Sequence, residues 1–504
     1  MPGTLAWTPR LDHWAHRNRH VNLDPAQKSG HTSGPGADPG AAPTGRRAVG
    51  SEFGHALLIV GGGRVVTLGL GAVSIVVLTN ALVPADFAAF GVVFSLVTLL
   101  ILPAQFGFRT SIIRSTAASR VAARPEEGRA ALTAALVGTT IFAVIIGLAA
   151  GAATWWAGWP VRQDVWIAAA IAAWTVAMSL NILTGEWLRG LGDLRAATLL
   201  NGLGQFGGLA NAAVSCAAFV ALAMTDGLTL DRLFGLLVIV ALASFAIGLV
   251  VGHRRAGSPL LSSQGWRAWR EMAPGNLRLM LIQMLQYGVS AQANVLIAGA
   301  LLAPHELALF VVGTRLMSML STALVTVNQA SAEMIVRLHA ENDLAGLERV
   351  LRLGATATFV FAVAGTAALA ALTPAGFALI FGPAYADAYA VCLVLLVAAT
   401  LNIAGGIPGR ALMLLGHERA VLKAEVALVA MSIAVCVLGG LYFGIMGLAV
   451  GSVIATVIMK TALAWLAWRH VGVRTYAYVA PSAYLSLAAA GIGAARRATT
   501  RLAG

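Results

Sequence analysis

The sequence predicts an all-α polytopic membrane protein. It should have about twelve transmembrane helices, thirteen if a borderline segment inserts, in two six-helix lobes. Three observations predict this. Of 504 residues, 58% are hydrophobic and only 11% are charged, where soluble domains carry roughly 25% charged residues. The mean hydropathy is +0.80. The 55 glycines suit the close helix approach that small residues allow in a bilayer. Gly147/Gly151, Gly204/Gly208 and Gly447/Gly451 have the G-x-x-x-G spacing.

A span needs about 20 mostly apolar residues. Such runs lie at 56–81, 88–108, 130–151, 165–185, 198–218, 233–251, 279–302, 307–328, 353–373, 388–406, 424–441 and 445–467. The stretch "YVAPSAYLSLAAAGIGAA" (478–495) is either a thirteenth span or an interfacial helix. Residues 1–50 are different in kind. "KSGHTSGPGADPGAAPTGRR" is dense in Gly and Pro and reads as a disordered tail. No apolar stretch in the tail suits a secretory signal, so the first span is expected to direct insertion. His13, His16 and His20 can share one helix face, but they fit a solvated tail better than a metal site. Cys216, Cys392 and Cys436 fall inside apolar runs and read as packing residues without a disulfide. No metal and no cofactor is expected.

Cytoplasmic connections of membrane proteins are enriched in Lys and Arg. Alternate connections here hold eighteen Lys and Arg, among them Arg109, Arg120, Arg189, Arg254, Arg337 and Lys423. The opposite connections hold only Arg162 and Arg232. The N-terminus shares the positive side and is therefore expected in the cytoplasm. The net charge of +13 follows from the same bias and calls for no nucleic-acid partner.

The two halves of the chain repeat. "VPADFAAF" (83–90) resembles "APHELALF" (303–310), and "LNILTGEWLRG" (180–190) resembles "LNIAGGIPGRA" (401–411). "GDLRA" (192–196) then matches "GHERA" (416–420) after a three-residue insertion. Six spans per repeat is an even number, so both halves enter the membrane in the same direction. That places a pseudo-two-fold axis along the membrane normal, with a transport path between the lobes. The expected organisation is a tail (1–50), an N-lobe (51–251), a linker (252–278), a C-lobe (279–468) and a C-terminal tail (469–504). "GWRAWREM" makes the linker basic and amphipathic, suited to the inner membrane surface.

Polar residues recur on one face of four spans at 100° per residue. These are Arg315, Ser318, Thr322, Thr326 and Gln329 in span 8, and Ser95, Thr98, Gln105 and Arg109 in span 2. Span 7 carries Gln283, Gln286, Tyr287, Ser290 and Asn294, and span 1 carries Arg64, Thr67, Gly71 and Ser74. One such stripe is explained by hydrogen bonding between helices. Four stripes at repeat-related positions point to a wet central cavity. Arg315 lies about 15 Å inside its span, too deep to snorkel easily. A charge at mid-bilayer costs about 2.5–3.5 kcal/mol on insertion scales. Arg64 is the second candidate, whereas snorkelling explains Arg109 and Lys460 at least as well. The spans hold almost no buried carboxylate, so a cationic cavity should select an anion. The planar fork of arginine suits a phosphate.

Several stretches resemble the polysaccharide-transporter branch of the multidrug/oligosaccharidyl-lipid/polysaccharide (MOP) flippase superfamily. They are "LVPADFAAFGVVFSLVTLLILPAQFGFRTSIIR" (82–114), "IFGPAYADAY" (380–389), "LNIAGGIPGRALMLLGHERAVLKAE" (401–425) and "GIMGLAVGSVIATVI" (444–458). The resemblance implies two six-helix lobes around a cationic cavity in the bacterial cytoplasmic (inner) membrane. It implies a flippase that moves polyprenyl-diphosphate-linked oligosaccharides between leaflets by alternating access, for surface polysaccharides such as lipopolysaccharide or exopolysaccharide. Arg315 and Arg64 would engage the diphosphate, with Arg109, Thr98, Gln283, Gln286, Ser290, Asn294, Ser318 and Thr322 lining the path. A polymerase and other polysaccharide assembly proteins would be partners. Many members have fourteen spans, and this chain is expected to have twelve, or thirteen if 478–495 inserts. The alternatives are a cation-coupled multidrug exporter of the same superfamily and a flippase for the cell-wall lipid precursor. An enzyme is not expected, because the chain has no P-loop, no H-E-x-x-H and no G-x-S-x-G.

Arg315→Ala should insert and express but lose transport, and Arg315→Lys should retain part of it. A transport assay in which Arg315→Ala runs at the normal rate would make this arginine purely structural.

Overall fold

The computed structural model describes residues 66–159, 164–200, 208–225, 227–257, 261–285 and 290–478. The tail 1–50, Arg64, Gln286, Tyr287 and the segment beyond Tyr478 lie outside the described residues. Helices dominate, and there is no strand among the described residues.

The N-lobe consists of α1 (Val66–Ala81), α2 (Pro84–Ala104), α3 (Phe108–Val121), α4 (Pro125–Ala157), α5 (Val165–Gly190), α6 (Leu194–Leu200), α7 (Leu209–Met224) and α8 (Leu230–Ala256). The linker helix α9 (Gly265–Gln283) follows. The C-lobe consists of α10 (Ser290–Leu301), α11 (Pro304–Ala340), α12 (Leu344–Ala370), α13 (Pro374–Phe381), α14 (Ala388–Ala404) and α15 (Pro408–Leu414), and then the helical stretch Glu418–Val471. Gly444 interrupts that last stretch with φ 58 and ψ −146, so it is two helices, α16 (418–443) and α17 (445–471). They lie antiparallel: Cys436 Sγ is 3.9 Å from Ser452 Oγ, and the His417 and His470 rings meet at 5.0 Å at the far end. The predicted spans 130–151, 165–185, 233–251, 307–328, 353–373, 388–406, 424–441 and 445–467 fall on described helices, while 56–81, 198–218 and 279–302 lie partly outside the described residues. Seven of the described helical stretches, the hairpin counted once, are long and apolar enough to cross a membrane.

Local chemistry sets the helix ends. Proline opens α2, α4, α11, α13 and α15, where its missing N–H costs nothing. The side chains of Asp164, Thr229, Asp343 and Thr373 cap the first turns of α5, α8, α12 and α13, each satisfying one otherwise orphaned N–H. Large apolar side chains such as Trp156, Trp166, Met224 and Phe443 stand exposed, as a lipid-facing surface requires.

The internal repeat is written into the backbone. Val83 (φ −65, ψ 148) precedes α2 as Ala303 (φ −64, ψ 154) precedes α11. Ala123 and Asn342 take matching left-handed conformations, φ 54 and 56, ahead of α4 and α12. Gly192 and Gly416 do the same, φ 82 and 86, after α5 and α15. Asp193 N donates to Leu188 O as His417 N donates to Leu412 O, at 3.0 and 2.9 Å. Both pairs close the same helix-ending turn.

The halves diverge at the end of α2. The stretch 88–108 is predicted as one straight span, but α2 stops at Ala104. Pro103 removes an N–H from its last turn, and Phe106 (φ 44) and Gly107 (φ 73) turn the chain. The repeat-related α11 runs unbroken for 37 residues. The linker helix α9 packs on α4, with smaller contacts to α2 and α3. A Cβ on Gly138 of α4 would lie 3.1 Å from Trp269 Nε1, so α9 packs with the N-lobe.

The α16–α17 hairpin depends on backbone contact at glycine. A Cβ on Gly447 would lie 2.1 Å from Gly439 O. Gly447→Val should therefore destabilise the C-lobe by about 1–3 kcal/mol, the usual range for overpacking. Thermal unfolding in detergent micelles would show a lowered midpoint, and an unchanged midpoint would refute the close packing.

Candidate functional site

The two lobes meet along α2 and α11. A Cβ on Gly91 would lie 2.5 Å from both γ-carbons of Val311, so only glycine lets the helices come this close. Toward the Pro84/Pro304 end, Phe87 meets Tyr385 edge-on at 5.8 Å. Asn80 Nδ2 donates to Ile380 O at 2.8 Å, and Trp159 Nε1 donates to Gly299 O at 2.9 Å. These contacts make a seam between N-lobe and C-lobe at this end of the bundle. Gly71 of α1 faces the Met319 side chain of α11, which continues the junction toward mid-bundle.

Arg315 sits at the inner edge of the seam. Its side chain reaches across from α11 and is 6% exposed. One terminal nitrogen donates to Gly91 O at 3.1 Å, and the guanidinium lies over the Phe94 ring at 3.9 Å. Phe90 stands 5.8 Å away. A desolvated cation over an aromatic face gains about 2 kcal/mol, and the Gly91 carbonyl, inside α2, has a second lone pair to offer across the seam. Phe94 is itself braced by Trp174 at 5.7 Å, and Trp174 by Phe234 at 5.8 Å. The charge is thus buried against an aromatic wall in the conformation described.

Ser318 and Thr322 follow Arg315 by one and two turns and are partly buried. Ser318 Oγ donates to Arg315 O at 2.7 Å, and Thr322 Oγ1 to Ser318 O at 3.0 Å. On α2, Thr98 Oγ1 donates to Phe94 O at 2.7 Å. Such back-bonding keeps a hydroxyl satisfied within its own helix. Ser95 Oγ is fully buried on α2 with no hydrogen-bond partner among the described residues.

The other predicted residues lie elsewhere. The break after Ala104 carries Arg109 off the face that a straight helix would give it. It sits in α3, where its Nε donates to Glu186 Oε1 at 3.1 Å. Arg189 donates to the other oxygen, Glu186 Oε2, at 3.0 Å. Gln283, at the end of α9, donates to Thr110 Oγ1 at 2.6 Å. Asn294 of α10 donates to Ser452 Oγ of α17 at 2.9 Å, a bond inside the C-lobe. Ser290 begins α10. Arg64 and Gln286 fall outside the described residues. The structure therefore groups Arg315, Ser318 and Thr322 on α11, facing a seam whose other wall is α2, and spreads Arg109, Gln283 and Asn294 to other contacts. The Arg109–Glu186–Arg189 cluster is not apparent from helix periodicity. The signal was the buried acid in "LTGEWLRG", with Arg189 three residues on.

No family model matches the chain, and no curated protein matches it. Solved structures do. A multidrug resistance MATE family transporter of the MOP superfamily, in an inward-facing conformation, is 16% identical with a TM-score of 0.59, over 80% of this chain and 94% of that one. A Vibrio cholerae MATE transporter mutant is 14% identical with a TM-score of 0.59, over 85% and 98%. An outward-facing MATE family transporter of the MOP superfamily is 14% identical with a TM-score of 0.54, over 84% and 95%. The fold is accordingly the two-lobed MATE-like transporter fold, the architecture expected from the repeat.

Removing a partner from a buried ion pair costs about 3–5 kcal/mol because the other charge is left uncompensated. Glu186 is 4% exposed and serves two arginines. Glu186→Gln should lower stability by about 3 kcal/mol. It should lower the detergent-solubilised thermal midpoint more than Arg189→Gln, which leaves the Arg109 pair intact. Equal midpoints for wild type and Glu186→Gln would dismiss the cluster as a structural element.

Proposed function

We propose that the chain is an alternating-access membrane transporter of the MOP superfamily. Its α2–α11 seam is the gate at one face. The observation that carries this is Arg315, which spans the lobes by a hydrogen bond to Gly91 O and a stack on Phe94. Both contacts break if the lobes part at the Pro84/Pro304 end. With the Lys- and Arg-rich connections read as cytoplasmic, that end is the outer one in this proposal, and the conformation described would be closed to the outside. Opening uncovers a guanidinium among the hydroxyls of Ser95, Thr98, Ser318 and Thr322, a polar site formed only when the gate is open.

Two cargo classes follow from different observations. The solved neighbours are named as multidrug transporters, and the seam carries an aromatic wall with half-buried Met317 and Met319 beside Arg315. Flexible Met-rich, aromatic surfaces suit variable apolar cargo, and export of amphiphilic compounds is the first reading. The second is translocation of a polyprenyl-diphosphate-linked oligosaccharide. It is favoured by the scarcity of acid: α1, α2 and α10 hold one carboxylate, Asp86, in the first turn of α2, and α11 holds Glu306 in its first turn and Glu333 near its far end. A cationic gate with few acids suits a diphosphate.

In a strain lacking the chain, the exporter reading predicts increased drug susceptibility with lipid-linked sugars unchanged. The flippase reading predicts a complete oligosaccharide repeat accumulating on the cytoplasmic face, with loss of one surface polymer. Gly91→Leu tests the gate itself. A side chain there wedges α2 from Val311, and turnover should fall at least about tenfold, the equivalent of 1.4 kcal/mol in a closing equilibrium, with insertion unchanged. Normal turnover by Gly91→Leu would reject the seam as a gate.

A further inference from the structure

One cavity lies away from the seam. It has a volume of about 690 Å³ and lies in the C-lobe, between α12, α14, α17 and the chain that follows α17. None of its walls comes from α1, α2, α10 or α11. After Gly472 the chain runs extended as a strap across the C-lobe. Val473, Thr475 and Ala477 are buried, and Arg474, Tyr476 and Tyr478 alternate outward, the period of two of an extended chain. The strap is tied down by Ala477 N donating to Ala404 O at 2.9 Å and Tyr478 N to Thr356 Oγ1 at 2.8 Å. Arg474 N donates to Glu348 Oε2 at 3.2 Å. A Cβ on Gly406 would lie 2.2 Å from Thr475 O, so glycine is what lets the strap lie this close.

The cavity lining is of two chemical kinds. Phe359, Leu401, Val457 and Ala464 give it an apolar wall. Lys460 and Arg474 line the rest, with Trp465, Trp468, Tyr476 and Tyr478. Lys460 Nζ donates to Gly406 O at 3.0 Å, which uses one of its three donors. Arg352, against Tyr478 at 4.0 Å, and Arg469, against Trp465 at 5.1 Å, add positive charge beside it. The facing acids are Glu348, already bonded to Arg352 and to Arg474 N, and Glu425, whose field acts on Lys460. Four cations thus face two carboxylates. Trp465 and Trp468 are about half exposed. Aromatic rings at the end of a membrane helix mark the headgroup level, and basic pockets between helices there hold anionic headgroups.

We propose that this cavity binds one anionic phospholipid of the surrounding bilayer. Its phosphate lies on Lys460 and Arg474, and an acyl chain lies along Val457, Ala464, Leu401 and Phe359. The lipid would fasten the strap to α17 and so brace the C-lobe from outside the transport path.

The test is native mass spectrometry of the full chain in detergent, with phosphatidylglycerol or phosphatidylcholine added. The wild type should retain phosphatidylglycerol at least about tenfold more than phosphatidylcholine. Arg474→Gln removes an exposed charge and should lose most of that preference. Ala464→Trp fills the apolar wall without touching any charge and should lose the bound lipid altogether. Thermal midpoints of both variants, measured without added lipid, should match the wild type, and only the wild type should be raised by phosphatidylglycerol. Equal retention of the two lipids, or phosphatidylglycerol retained in both variants, overturns the proposal. So does a photo-crosslinking residue at position 465 that captures residues 479–504 instead of lipid.

Discussion

A single buried cation sets the geometry between the lobes. Arg315 leaves α11, crosses the seam and meets α2 through a carbonyl and an aromatic ring. Neither of these two partners is an acid. The guanidinium is stabilised by a dipole and a π-face, both weaker than a carboxylate. A carboxylate partner would make a permanent clamp, whereas a carbonyl and a ring make a contact that can be exchanged. Gly91 is essential to the arrangement twice over: it supplies the carbonyl, and its missing side chain lets Val311 approach.

Much of this fold is legible in the sequence because the bilayer imposes a length on every helix. The apolar runs, the two proline-led helix starts at Pro84 and Pro304, and the glycine turns at Gly192 and Gly416 all repeat in order. Local signals of this kind survive into the structure. What is not legible is where a helix stops being straight. Gln105, Arg109 and Thr98 fall on one projected face, yet Pro103 and Gly107 break the helix between them. Asn294 shares its projected face with Gln283, yet it bonds Ser452 from a helix over 150 residues away. Periodicity gives a face; it does not say which neighbour that face meets. Arg315 was conspicuous because a lone charge in an apolar run needs a partner, but Phe94 as that partner depends on the register between two helices 220 residues apart.

The two lobes share backbone geometry and differ in chemistry. Glu186 in the N-lobe aligns with Ile407 in the C-lobe, while Arg189 aligns with Arg410. The N-lobe closes its base with a carboxylate between two arginines. The C-lobe has no acid at the matching place and instead lays an extended strap over Gly406, beside Lys460. Duplication kept the turns, because they fix the path of the chain. The side chains between them were free to diverge.

The uninterrupted length of α11 has a mechanical consequence. Its 37 residues span about 55 Å at 1.5 Å per residue, well beyond a hydrocarbon core of about 30 Å. Its repeat partner α2 is cut short by a bend. One lobe therefore owns a stiff rod and the other a jointed one. From Arg315 to Ala340 the rod extends about 37 Å, so a tilt of about 10° pivoting at the arginine sweeps its far end through about 6 Å, on the same helix dimensions. If the seam is the proposed gate, a small rearrangement around one guanidinium would be geared up into a displacement wider than a water molecule at the far end of this helix.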